Sequence, residues 1–159
     1  MLYLFSGSFQ PLHKSHLDMA NYVESKFDTH VVFEICRKPF DKPPLTDEEI
    51  EKRLDQFRLL GRRCIVTENT SFLQRAMDIK HYRKKGVIYP ASRGELNKVF
   101  IVGYDTIIRV DDPKYYFGSD VERQRCIKEI SKTSRFLVFS RGESDRTKLS
   151  QEILDISDF

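Results

Sequence analysis

The 159 residues are 40% hydrophobic and 32% charged, with only 7 Gly and 6 Pro, enough for one core without metal or disulfide staples and unlike a disordered, fibrous or multidomain protein. The 27 basic and 24 acidic side chains leave a net charge of +3, too mild to argue for nucleic acid. No apolar run approaches the roughly 18 residues that cross a bilayer, and the opening MLYLFSGSFQPLH has neither the basic flank nor the long apolar stretch of a secretion signal.

A soluble cytoplasmic domain with no membrane or nucleic-acid partner is therefore expected. Basic residues gather at Arg62-Arg63, at Arg83-Lys84-Lys85 and between Arg141 and Lys148, and such clusters read as solvated surface. Cys36, Cys64 and Cys126 are scattered singly, which fits neither a disulfide framework nor a paired zinc spacing. They read as free thiols, Cys36 and Cys126 packing as small hydrophobes.

The first strand is read from Leu2 in LYLF. A helix follows, with Ser15 and Asp18 spaced as a capping box, in which hydroxyl and carboxylate satisfy each other's backbone N–H. VVFEI from Val31 is the second strand. Thr46 and Glu49 mark the next helix start, and Ile50, Leu54, Phe57 and Leu60 recur at helical spacing to give one apolar face. CIV from Cys64 is the third strand; a helix over Phe72, Leu73, Ala76 and Met77 is read as ending near the basic triplet, and Lys80 to Lys98 as loop. VFIV from Val99, a helix capped by Ser119 with Glu122, and RFLVF from Arg135 complete the series. The strands recur at intervals of about 29 to 36 residues, the length of a βαβ unit. Runs apolar at nearly every position need cover on both faces, so the fold expected is a Rossmann-like, doubly wound α/β parallel sheet of about five strands with helices on both faces.

In such a sheet ligands bind beyond the carboxyl ends of the strands. The first strand leads there into Ser6-Gly7-Ser8-Phe9-Gln10-Pro11-Leu12-His13-Lys14-Ser15-His16. Small residues after a strand let backbone N–H groups approach an anion, the next helix aims its positive end at the same place, and two histidines three apart add donors. The run is neither the dinucleotide fingerprint nor a P-loop. His13 and His16 have no third ligand at convincing spacing, so no metal site is assigned to the chain. Gly103 and Asp105 also read simply as turn formers, Lys42 as an ordinary exposed lysine, and Tyr115-Tyr116-Phe117 as a packing anchor.

GSFQPLHKSH resembles the signature of the HxGH-type, cytidylyltransferase-like nucleotidyltransferases. The resemblance extends to RKPFDKPPLTDEEIEKRLDQF, to VFIVGYDTIIRVDDPKYY and to RFLVFSRG, in the order found in the branch related to nicotinamide mononucleotide adenylyltransferases, over residues 2 to 142. It implies that residues 1–159 form a single nucleotidyltransferase domain. The reaction implied is attack of a phosphorylated acceptor, nicotinamide mononucleotide favoured, on the α-phosphate of ATP, with pyrophosphate released and Mg2+ carried mainly on the triphosphate.

By this resemblance His13 and His16, with Lys42, are catalytic. Ser6, Gly7, Ser8 and Phe9 form a backbone cradle for the nucleotide, to which Gly103, Asp105, Ser140 and Arg141 also belong. Tyr104, Thr106, Arg109 and Tyr115 fall to the acceptor. Two departures stand out: Ser15 replaces the signature glycine, and the end, Asp155-Ile156-Ser157-Asp158-Phe159, is at most the first part of the family's Ile-Ser-Ser-Thr-X-Ile-Arg motif, making 142–159 divergent or truncated. Use of CTP, hydrolysis of ATP, and nucleotide binding without turnover remain open alternatives.

Overall fold

A computed structural model describes residues 1–78, 80–84, 87–88, 97–140 and 149. The chain falls into two compact units, Leu2–Ser71 and Phe72–Phe159. The first unit holds β1 (Leu2–Ser6), α1 (Lys14–Phe27), β2 (Val31–Cys36), α2 (Asp47–Leu59) and β3 (Cys64–Thr67). Its strands are parallel, Tyr3 to Ser6 pairing with Val31 to Glu34, and Phe33 to Cys36 with Cys64 to Thr67. Parallel neighbours require a crossover, and α1 and α2 supply the two.

The core explains the run VVFEI, since all five residues of β2 from Val31 to Ile35 are buried. Phe5, Phe9, Phe33 and Phe57 form a ring cluster, with neighbouring centroids 4.9 to 5.6 Å apart. Burying each of these side chains stabilises the fold by about 1.5–3 kcal/mol. Thr46 caps α2 as expected: its hydroxyl accepts from the Glu49 N–H at 3.2 Å, and its own N–H donates to the Glu49 carboxylate at 3.2 Å. Asp47, Glu48 and Glu49 in the first turn complement the positive end of the helix. Ile50 and Phe57 face the core, whereas Leu60 lies past the last turn and is half exposed, so the apolar face is shorter than the spacing predicts.

Two expectations are corrected in this unit. Helix α1 begins one residue before Ser15, and its N-cap is His13. Arg62 is not solvated surface: it donates to Glu24 at 2.5 Å and to Asn21, with its guanidinium 5.9 Å from the Phe33 ring. Glu24 in turn accepts from the Val31 N–H at 2.9 Å, so one carboxylate joins α1 to the start of β2.

The second unit holds α3 (Phe72–Met77), β4 (Arg83–Lys84), β5 (Val87–Ile88), β6 (Lys98–Gly103), α4 (Tyr104–Val110), a 3-10 turn (Pro113–Tyr116), α5 (Asp120–Ser131) and β7 (Ser134–Phe139). Strands β6 and β7 run parallel, from Lys98 opposite Ser134 to Gly103 opposite Phe139. Phe72, Phe100 and Phe136 cluster 5.2 to 5.6 Å apart.

Helix α3 ends well before the basic triplet. The Asp78 carboxylate accepts the N–H groups of Lys80 and His81 at 2.7 and 2.9 Å, a local bond pattern that competes with helix. Lys98, fully buried, donates to the carbonyls of Ala76 and Asp78 at 2.8 and 3.2 Å and lies 5.4 Å from the Tyr82 ring. Burial pushes its ammonium down to about 8, against the pull of Asp78. The stretch read as loop contains a two-residue antiparallel ladder, β4 with β5; residues 89–96 lie outside the described ones.

Ser119 caps α5, accepting from the Glu122 N–H at 3.1 Å, and Arg123 on α5 meets Asp111 at 2.7 Å. Tyr116 anchors its segment through a hydroxyl bond to the Val110 carbonyl at 2.7 Å. Phe117 is fully exposed with a positive φ of 58°, so the aromatic triplet does not pack as a group. Cys126 is buried, while Cys36 is only half-buried. Burial, and then the charge of Glu34, pushes the Cys64 thiol up to about 12. The five parallel strands with interleaved helices make the fold the expected Rossmann-like α/β type. Among the described residues no helix is long and apolar enough to cross a membrane.

Candidate active site

In the first unit the loop from Ser6 to His13 leaves the carboxyl end of β1 and opens α1. Its first residues are tied to β2: the Ser6 hydroxyl donates to the Glu34 carboxylate at 2.8 Å, and the Gly7 N–H to the Glu34 carbonyl at 3.1 Å. Gly7 is tightly packed: a Cβ there would lie 3.0 to 3.3 Å from the Phe9 ring, which would have to give by a few tenths of an ångström. Phe9 has φ 47° and is 2% exposed, its ring 5.2 to 5.5 Å from those of His16, Phe57, Phe33 and Phe5. The side chain of Phe9 is thus spent on the core, and only its backbone remains for a cradle.

Beyond Phe9 the chain turns through a cis Gln10–Pro11 bond. Helix α2 holds this turn with two side chains one turn apart. Arg53 donates to the Ser8 carbonyl at 3.2 Å and to the Gln10 side-chain oxygen at 2.5 Å. Gln56 donates to the Phe9 carbonyl at 2.8 Å and accepts from the Leu12 N–H at 2.7 Å.

The two histidines sit on the first turn of α1. The His13 N–H donates to Nδ1 of His16 at 2.9 Å, and the rings are 5.4 Å apart. A ring nitrogen that accepts a backbone N–H carries no proton, so neutral His16 is protonated at Nε2 and presents that group as a donor. Burial first, and His13 second, hold the His16 pKa below the ordinary imidazole value. At neutral pH it is an uncharged donor in a fixed orientation. His13, Ser8 and Ser15 are exposed. Lys42 is also exposed, in the loop between Arg37 and Leu45 that is closed by the Leu45 N–H bond to the Arg37 carbonyl at 2.9 Å.

In the second unit Gly103 ends β6 and is the N-cap of α4. A Cβ there would meet nothing within 4 Å, leaving open space beside the backbone. Tyr104, Asp105 and Thr106 follow on the first helical turn, with Asp105 exposed, and Arg109 is exposed on the last. Ser140 is half-buried just past β7, whose register places it at the same carboxyl end as Gly103. Tyr115 is on the 3-10 turn, one element further on, and the Lys114 ammonium lies 5.5 Å from its ring. Arg141 lies outside the described residues.

Ser6, Gly7, Ser8, Phe9, His13 and His16 are therefore one local assembly in the first unit, and Gly103 to Thr106 with Ser140 another in the second. Arg109 shares α4 with Tyr104 to Thr106 but sits on its last turn, while Lys42 and Tyr115 stand on separate segments. Sequence reasoning missed Glu34, Arg53 and Gln56. The signal for Glu34 was a carboxylate inside an otherwise apolar strand run; for Arg53 it was a cation three residues after Ile50 and four before Phe57, on the helix's core face. Among the described residues no group of three or more His, Cys, Asp or Glu could hold a metal ion.

A glycine-containing loop that runs from a parallel strand into a helix N-terminus carrying two histidines is the arrangement of a nucleotide-binding type of α/β site. The family model for cytidylyltransferase-like proteins matches residues 4–142, and the chain belongs to that family of nucleotidyltransferases. It is 25% identical over 146 residues, 88% of this chain, to a putative nicotinamide mononucleotide adenylyltransferase of Schizosaccharomyces pombe, of whose length it spans only about half, 53%. It is 28% identical over 171 aligned positions, 97% of this chain and 81% of the relative, to a probable nicotinate-nucleotide adenylyltransferase of Caldicellulosiruptor bescii. No solved structure matches the chain significantly.

Proposed function

We propose that the protein transfers AMP from ATP to nicotinamide mononucleotide, yielding the dinucleotide and pyrophosphate. An oxygen of the acceptor's phosphate forms the new bond to the α-phosphorus, and the bond from that phosphorus to the β-phosphate bridge breaks. Such transfer needs positioning and charge stabilisation with no protein nucleophile. Neutral His16, held by His13 and donating through Nε2, supports this reading above all, because it supplies a pre-aimed donor to the charge growing on the triphosphate. His13, the Ser6 to Phe9 backbone and Lys42 bind the phosphates. Gly103, Asp105, Ser140 and Arg141 take the rest of the nucleotide, and Tyr104, Thr106, Arg109 and Tyr115 the acceptor. Magnesium enters as part of the ATP complex.

The Caldicellulosiruptor relative's name favours a second acceptor, nicotinate mononucleotide. The test is release of pyrophosphate and dinucleotide from MgATP with either mononucleotide, beside CTP and beside ATP alone. The expected result is stoichiometric product with one mononucleotide, and a loss of about a hundredfold or more in His16→Ala, the scale of removing one transition-state donor. Pyrophosphate only from CTP, phosphate from ATP alone, or equal turnover in His16→Ala would overturn the reading.

A further inference from the structure

We propose that Arg53 and Gln56 on α2 are positioning residues that set the orientation of the phosphate-binding loop; this rests on the nucleotidyl-transfer reading of that loop. The two residues are three apart on one face of the helix, and between them they hold Ser8, Phe9, Gln10 and Leu12. Gln56 is matched to the backbone at both ends of its amide, its NH2 on the Phe9 carbonyl at 2.8 Å and its oxygen on the Leu12 N–H at 2.7 Å. A flipped or truncated side chain loses both bonds together. The Arg53 guanidinium is a planar fork with two distinct acceptors, the Ser8 carbonyl at 3.2 Å and the Gln10 oxygen at 2.5 Å. Only 8% of Arg53 is exposed, so these bonds form largely out of water.

The consequence for the loop follows from peptide planarity. In a trans peptide the N–H points opposite to the C=O of the same unit. Fastening the Ser8 and Phe9 carbonyls to α2 therefore turns the N–H groups of Phe9 and Gln10 away from α2. Among the described residues neither N–H carries a hydrogen bond. They are left as donors for an anion, next to the start of α1 where His13 and His16 stand. The bond to Leu12 acts on the other side of the turn, fixing the residue that precedes the His13 cap. Helix α2 thereby holds both the backbone donors and the histidine donors without touching the substrate.

The fixed orientation matters most when charge builds on the phosphates, since displacing a donor by about 1 Å costs on the order of a hundredfold in rate. Loss of the clamp should lower kcat more than it raises the KM for ATP. The experiment compares the parent with Gln56→Ala, Gln56→Glu and Arg53→Lys, measuring kcat and KM for MgATP and the protection of the Leu12 amide from hydrogen exchange. Gln56→Ala is expected to lose Leu12 protection and to lower kcat about 10- to 100-fold, with KM changing less. Gln56→Glu keeps the acceptor for Leu12 but not the donor for Phe9, so it should retain Leu12 protection while kcat still falls. Arg53→Lys keeps the charge without the fork, and an intermediate loss is expected.

Parent-like kcat and KM in both Gln56 variants, with the parent active, would overturn the clamp and leave the reading of function intact. A parent that releases no pyrophosphate with any nucleotide would overturn the reading and the clamp's role with it. If Gln56→Ala does not fold, Gln56→Glu and Arg53→Lys decide by the same split of kcat from KM.

Discussion

Two glycines show how differently the two units hold their candidate site residues. Gly7 is packed so tightly that one added carbon would press on the buried Phe9 ring, while Gly103 faces space in which an added carbon meets nothing. The same contrast runs through the neighbouring residues. In the first unit the loop after β1 is fastened by Glu34, Arg53 and Gln56, and its central residue is a plug in an aromatic core. In the second, Asp105, Arg109 and Tyr115 are exposed. Under the proposed function, the fastened loop suits the phosphates common to every nucleoside triphosphate, and the exposed Arg109 and Tyr115 suit recognition of the acceptor.

The comparison can be broken most directly at the glycines. Gly7→Ala is expected to cost about 1–3 kcal/mol in denaturant unfolding, the usual range for overpacking a filled core. Parent-like stability would show that the Phe9 ring can move aside and that the loop is not rigid. A smaller effect is expected from Arg109→Ala, which should raise the KM for the acceptor about tenfold, the scale of one charge-assisted hydrogen bond, and leave the KM for ATP unchanged. If the KM for ATP rises equally, the assignment of Arg109 to the acceptor is wrong. Gly103→Ala should cost less than about 1 kcal/mol, the most that replacing a glycine N-cap by alanine would remove.

The smallest effect sharpens the description of His16. Its pKa is lowered by burial first and by His13 second, so His13→Ala should move it partway back toward the ordinary value, as read by NMR titration of the ring. No movement would mean that His13 acts on His16 only through its backbone. The sign of the linked stability follows. The folded pKa lies below the unfolded one, so the unfolded chain takes up the proton first as pH falls. The stability His16 contributes is present above about 6.5, the unfolded value, and is lost as pH falls through the folded pKa. The His13→Ala variant should lose less over that window.

The five strands and most helix starts were legible because their signals are local. VVFEI reads as a strand buried on both faces from its composition, and Thr46 with Glu49 closes a capping box within four residues. His13 and His16 were legible as a pair from their spacing and their place after β1. What failed were boundaries, one set by a distant partner and one by an unusual local cap. Helix α3 stops early because Asp78 and Lys98, twenty residues apart in sequence, take up its last carbonyls and the next N–H groups. The start of α1 moved from Ser15 to His13 because the imidazole of His16 serves as the cap partner that a carboxylate was expected to supply.

By itself the sequence determined the order of the five sheet strands and of α1, α2, α3 and α5, the place of the loop after β1, and the residue types that stand there, while α4 and the short β4–β5 ladder went unread. These follow from periodicity and from bonds between residues a few positions apart. Only the tertiary structure decided that Phe9 would be a core plug, that Glu34 would hold Ser6 across 28 residues, and that Arg53 and Gln56 would grip a turn more than 40 residues earlier. The physical reason is that a buried polar group must find its partner wherever packing brings one, and sequence spacing carries no record of which strand or helix that will be.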